Sequence, residues 1–142
     1  MNFSITVDIA APAERVWSVM SDIERWAEWT TSVKSIKRLD HGPLAPGSRA
    51  VIRQPRLLPA MWKVTALQPG RSFTWTTGSP GVRVIAHHLV EPTGHGSRAT
   101  LSLQFGGLLG PLVARITSGL NNRYLSLEAA GLKRRSEGHE DR

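Results

Sequence analysis

Apolar and polar residues alternate strictly at the start of the chain, where Ser4, Thr6 and Asp8 separate Phe3, Ile5, Val7 and Ile9. A period of two marks a strand with one buried face. Ala10-Ala11-Pro12 ends it, and Pro12 suits the first turn of a helix, where its missing N–H costs nothing. Ala13, Val16, Trp17 and Met20 then fall at helical spacing. Ser21-Asp22 reads as a break and a new N-cap. A second short helix follows, with Glu24 in its first turn and Ile23, Trp26 and Ala27 on one face; Trp29 stands at its exit.

The pattern then predicts strands over 33–39, 48–54, 61–68, 71–77, 82–91 and 98–105. The first is irregular, with apolar residues at 33, 36 and 39, as if it held a bulge. Asp40-His41-Gly42-Pro43, Pro69-Gly70 and Gly78-Ser79-Pro80-Gly81 punctuate the run as turns. Pro55-Arg56-Leu57-Leu58-Pro59 is too stiff for a tight hairpin and reads as a lid-like loop. Trp62, Val64 and Ala66 share one side of their strand, and Phe73 and Trp75 one side of the next. Val82, Val84, Ala86, His88 and Val90 share a face, as do Ala99, Leu101, Leu103 and Phe105. Consecutive strands on short turns imply an antiparallel meander.

After Gly106-Gly107 and Gly110-Pro111 the period changes. Leu112, Val113, Ile116, Leu120, Tyr124, Leu127 and Gly131 recur at helical spacing. They predict one face of a long helix, roughly 24 residues and about 36 Å. Residues 1–135 then form one domain and 136–142 a polar tail. A curved, seven-stranded antiparallel sheet has an apolar face to cover, and this helix is the element available. A straight helix cannot fill a twisted sheet, so a cavity is expected between them, apolar with few polar groups and plugged at one end by the short helices.

Composition narrows the chemistry. The 142 residues fit a single domain. The absence of cysteine excludes disulfides, thiolate metal sites and cysteine nucleophiles. No apolar run is long enough for a membrane span, and the N-terminus lacks signal-peptide features, so a cytoplasmic protein is expected. Lysine and arginine number 18 against 11 acids, a net charge of +7. They are scattered, except for Lys133-Arg134-Arg135, which reads as a solvated surface rather than a nucleic-acid site. RNA or an anionic membrane stays an alternative for that surface. Histidines at 41, 87, 88, 95 and 139 make no zinc constellation, because adjacent strand residues point to opposite faces. No metal or cofactor is expected.

The candidate ligand-binding residues follow from these faces. The sheet side offers Trp62, Val64, Phe73, Trp75, Val84, Ala86, His88, Leu101 and Leu103, with Trp26 from the short helix. The long helix offers Ile116, Leu120 and Tyr124. Polar groups for the pocket are Asn121 and either Arg53 or Gln54, whose parity is ambiguous because Val51 and Ile52 compete. Tryptophan brings a flat apolar body and one oriented donor. His88 is the candidate general acid or base, since an imidazole pKa moves readily across neutrality. The same position also suits a hydrogen-bonded core histidine. No acid is expected on the inner face, because Asp8 and Glu91 alternate outward.

The order of elements, with Ala11-Pro12-Ala13-Glu14-Arg15-Val16-Trp17, Trp26-Ala27-Glu28-Trp29, Pro46-Gly47-Ser48, Trp62-Lys63-Val64, Phe73-Thr74-Trp75, Phe105-Gly106-Gly107-Leu108 and Glu128-Ala129-Ala130-Gly131-Leu132-Lys133, resembles the polyketide cyclase/dehydrase-like proteins of the START-like (SRPBCC, Bet v 1-like) superfamily. The resemblance runs from about Phe3 to Glu137. It implies the α+β helix-grip fold, a β-α-α-β6-α chain whose curved sheet wraps around a long C-terminal helix. It also implies a small hydrophobic, polyketide-like or lipid-like ligand in the cavity. An aromatase, cyclase or dehydratase activity using His88 is the alternative. Whether the chain is an enzyme, and whether it is a monomer or a homodimer, stays open at this level.

Overall fold

The alternating segments join in one ladder. The computed structural model describes residues 2–138; Met1 and residues 139–142, with His139 and the end of the expected tail, lie outside the described residues. The strands are β1 (Asn2–Ile9), β2 (Ser35–Arg38), β3 (Arg49–Arg53), β4 (Ala60–Gln68), β5 (Ser72–Ser79), β6 (Val82–Thr93) and β7 (Gly96–Gly106). They form a seven-stranded sheet in the order β1-β7-β6-β5-β4-β3-β2, antiparallel throughout. The expected bulge in the second strand is absent. That strand is simply shorter, and the register shift lies in β4, between Val64 and Ala66.

Helix α1 (Ala13–Ser21) starts after Pro12, whose carbonyl accepts from Arg15 N and Val16 N at 3.0 and 3.2 Å. A short 3-10 helix (Ile23–Glu28) follows and turns Ile23 and Trp26 inward. Asp22 does not cap it through its side chain; the carboxylate meets Arg25 at 3.4 Å instead.

The single C-terminal helix of the sequence reading is two: α2 (Gly110–Ile116) and α3 (Ser118–Ser136). Thr117 separates them. Its Oγ1 donates back to Val113 O at 2.7 Å and accepts from Asn121 Nδ2 at 2.9 Å. The backbone bonds run on through it, from Thr117 N to Val113 O and from Asn121 N to Thr117 O at 2.9 Å each, and Ser118-Gly119 adds two weak helix formers. The buried stripe keeps its phase across the junction, from Gly110 and Ala114 on α2 to Asn121, Tyr124, Leu125, Ala129, Gly131, Leu132 and Ser136 on α3. Leu120 is only half-buried, and Ile116 is 74% exposed.

The far end of α3 is pinned to the first strand and the Trp29 turn. A Cβ at Gly131 would lie 2.0 Å from Trp29 O, so only glycine permits this approach. Lys133 Nζ donates to Asp8 O at 3.1 Å and pairs with Glu137 at 2.7 Å; Glu137 also accepts from Ala10 N at 2.8 Å. Arg134 reaches Trp29 O, and Arg135 meets Glu28 at 2.6 Å. The longest basic run is therefore taken up by tertiary contacts. Ser136, the last residue of α3, is buried as well.

Candidate functional site

Between the concave face of the sheet and the helices lies a cavity of about 290 Å³. That is room for about ten waters at liquid density, and near the lower end of ligand pockets, about 300–1,000 Å³. The ladder explains its wall. Trp75 on β5 stands opposite Ala86 on β6, which stands opposite Leu103 on β7; Phe73, His88 and Leu101 make the next row. Side chains two apart share a face, so these rows carry Trp75, Val84, Ala86, His88, Leu101, Leu103 and Phe105 inward.

Of the predicted residues, Trp26, Trp62, Trp75, Val84, Ala86, His88, Leu101, Leu103, Tyr124, Gln54 and Asn121 border the cavity. Five do not. Val64 and Phe73 face inward but lie beneath the wall, 1% and 0% exposed, packed into the core. Ile116 and Leu120 lie on the outer side of the helices, away from the stripe through Ala114, Asn121 and Leu125. Arg53 is exposed, because Ile52 pairs inward with Ala60 and the next residue must face out. Gln54 lies past the strand end and turns in, donating through Nε2 to Ser32 O at 3.1 Å. Val113 and Thr117, at the helix break, and Leu57 and Leu58, from the proline-bounded loop, complete the helix side and mouth. Tyr124 OH donates to Pro55 O, tying α3 to that loop.

The aromatic side chains form one cluster. Trp26 lies 5.6 Å from Trp75 and 5.4 Å from His88, ring centre to ring centre, and Trp62 lies 5.6 Å from Trp75. Trp26 Nε1 donates to Met20 O at 3.0 Å. Trp62 Nε1 is buried and has no hydrogen-bond partner among the described residues, an uncommon state for a buried donor.

His88 is stacked on Phe73, with ring centres 4.2 Å apart and planes 7° from parallel. Its Nδ1 lies 3.3 Å from Phe73 O. A carbonyl only accepts, so Nδ1 carries the proton and the ring is the Nδ1–H tautomer. Burial pushes its pKa down to about 3, against which the Phe73 contact works upward. The imidazole is neutral at physiological pH. Its neighbour His87 faces the other side of the sheet, where Nδ1 meets Thr74 Oγ1 at 2.9 Å.

An acid does face the cavity, contrary to expectation. Glu128 on α3 borders it, and Glu128 Oε2 accepts from Ser32 Oγ at 3.4 Å. Ser32 is fully buried and held by Thr30 Oγ1 at 2.8 Å. Burial raises the Glu128 carboxyl to about 7, only partly offset by Ser32. The signal was present as spacing: 121, 124, 125, 128 and 132 share one helical face. The predicted face, through 116, 120 and 127, lies to one side of this one.

No group of three or more histidine, aspartate or glutamate residues among the described residues has the geometry to hold a metal. No helix among them is long and apolar enough to cross a membrane.

Known proteins share this architecture. An aromatase/cyclase named Zhui, from a Streptomyces species, superposes with a TM-score of 0.79 at 16% identity, covering 99% of this chain and 95% of that one. A START superfamily protein of Mycobacterium smegmatis gives 0.73 at 18% identity, covering 94% and 97%. At such identities the likeness concerns the fold. A protein of Mycobacterium tuberculosis named as a toxin is 28% identical over 123 residues, 81% of this chain and 84% of the relative. The family described as polyketide cyclase/dehydrase and lipid transport matches residues 1–137, essentially the whole helix-grip unit built above, and the chain belongs to that family.

Proposed function

We propose that the protein binds a small, largely apolar ligand in the cavity between the sheet and the C-terminal helices. The observation that carries this reading is the cavity itself, about 290 Å³, walled by Trp26, Trp62 and Trp75. A wall of flat aromatic surface favours apolar and planar ligands. The family description, which spans cyclases and lipid transport, agrees with a ligand-holding role.

His88 fits this reading as a wall residue better than as a general acid or base. With its pKa near 3 it is a weak base, and near neutrality it is a neutral imidazole whose one N–H is directed at Phe73 O. The basic surface has no part in the reading, because Lys133, Arg134 and Arg135 serve the fold.

Native mass spectrometry of the purified protein should reveal a bound apolar molecule or accept added planar ligands one to one. Tryptophan emission should change on titration, since three of the five tryptophans line the site. If a panel of apolar ligands leaves both the mass and the emission unchanged, the reading fails.

A further inference from the structure

Glu128 sets the cavity apart from a plain apolar hole. Asp8, Asp22, Glu28, Asp40 and Glu137 each meet an arginine or lysine: Arg98, Arg25, Arg135, Arg38 and Lys133. Glu128 meets none. Among the described residues its hydrogen-bond partner is Ser32 Oγ, at 3.4 Å, longer than an ordinary O–H···O contact. A carboxyl group has about four acceptor sites, and one long bond leaves most of that capacity unused beside an enclosed space.

This arrangement is costly for folding alone. Leucine would pack the same helical face, and glutamine would bond Ser32 without a charge to desolvate. The surroundings nevertheless hold the carboxyl in place. Ser32 is fixed from one side by Thr30 and from the other by Gln54, which bonds its carbonyl at 3.1 Å. Glu128 is thus a positioned acceptor facing the cavity, with no other donor of the described residues directed at it.

We propose that the cavity selects ligands that carry a hydrogen-bond donor, an amine or a hydroxyl, on an otherwise apolar, planar body, and that Glu128 receives this donor. The inference rests on the ligand-binding reading above and adds the polarity of the ligand. The ring of an occupant lies against Trp62 and Trp75, and its donor points to α3. A protonated amine would form a charge-assisted pair with the ionised carboxylate. A hydroxyl would form a neutral or singly charged hydrogen bond.

Three probes of matched shape test this: 2-(2-naphthyl)ethylamine, 2-(2-naphthyl)ethanol and 2-ethylnaphthalene, each measured by equilibrium dialysis against the full chain. The donor-bearing probes should bind more tightly than the hydrocarbon. The gain should be roughly ten- to hundred-fold for the amine if the source is charge-assisted, or a few-fold for the alcohol if it is a neutral bond. Glu128→Gln and Glu128→Leu should both bring the ratio of amine to 2-ethylnaphthalene affinity, measured within each variant, to within about two-fold of one. Two variants are used so that loss of fold in one does not decide the matter. Equal affinity for all three probes would overturn the donor inference and leave the cavity reading standing. So would an advantage that persists in both variants. Failure of all three to bind would remove both.

Discussion

Replacing Glu128 by glutamine changes one proton site and almost nothing in shape, which makes it a clean probe of the cavity's interior. The sign follows from proton counting. The folded carboxyl is half-protonated at about 7, whereas an ordinary glutamate is half-protonated at 4.5. Stability from this group is complete below 4.5, falls as the pH rises from 4.5 to 7, and is level above, because in that window the folded state binds more protons than the unfolded one. The largest possible loss is about 3 kcal/mol. Glu128 borders space that water can enter, and solvent screening lowers the expected value to about 2 kcal/mol. Glutamine has no such decline. Between pH 4.5 and pH 8, Glu128→Gln should therefore gain about 2 kcal/mol on the wild type. Urea denaturation followed by tryptophan emission at the two pH values reads this difference directly, and titrations elsewhere cancel between the variants. A gap that stays the same at both pH values, or one that favours the wild type at pH 8, would refute the reasoning.

His88 predicts the opposite trend. Its pKa falls from 6.5 to about 3, so the unfolded chain binds the extra proton between those values and stability rises with pH across that window. His88→Phe, which keeps the stack on Phe73, should lose about 3 kcal/mol less than the wild type between pH 7 and pH 4, measured by guanidinium melts. An equal loss in both proteins would show that His88 is already charged in the folded state. Gly131→Ala would press a methyl group into Trp29 O. It should cost about 3 kcal/mol or more and lower the melting temperature markedly, and calorimetry showing no change would mean that α3 docks differently.

The sheet was legible because alternation is a local property. The parity that carries Trp75, Ala86 and His88 inward is written in adjacent residues, and the ladder only has to preserve it. The faces of the C-terminal helix were not legible, since they depend on phase. The predicted face runs through 112, 116, 120 and 127, whereas the buried one runs through 114, 121, 125 and 132, in one phase on both sides of Thr117. Ile116 and Leu120 lie on the first and so off the cavity, and Glu128 lies beside the second and borders it. Arg53 and Gln54 illustrate a second limit. Their sides depend on where β3 ends, which is set by pairing with β2 and β4 rather than by their own chemistry. An acid in a helix is read by default as solvated, and only the cavity around Glu128 makes it otherwise.

The division at Thr117 also gives the molecule two ends of unequal strength. α3 is secured at its far end by the Gly131–Trp29 approach and by Lys133 and Glu137 on the first strand and its exit. α2 packs on β6, β7 and α3 and leaves Leu112 and Ile116 more than half exposed. Opening free energies should therefore rise along the helix pair, lowest at α2 beside the mouth and highest near Leu132. Amide hydrogens would exchange in that order. A ligand entering past Val113 and Thr117 would have to displace only the weaker of the two segments, while the rest of the grip stays closed.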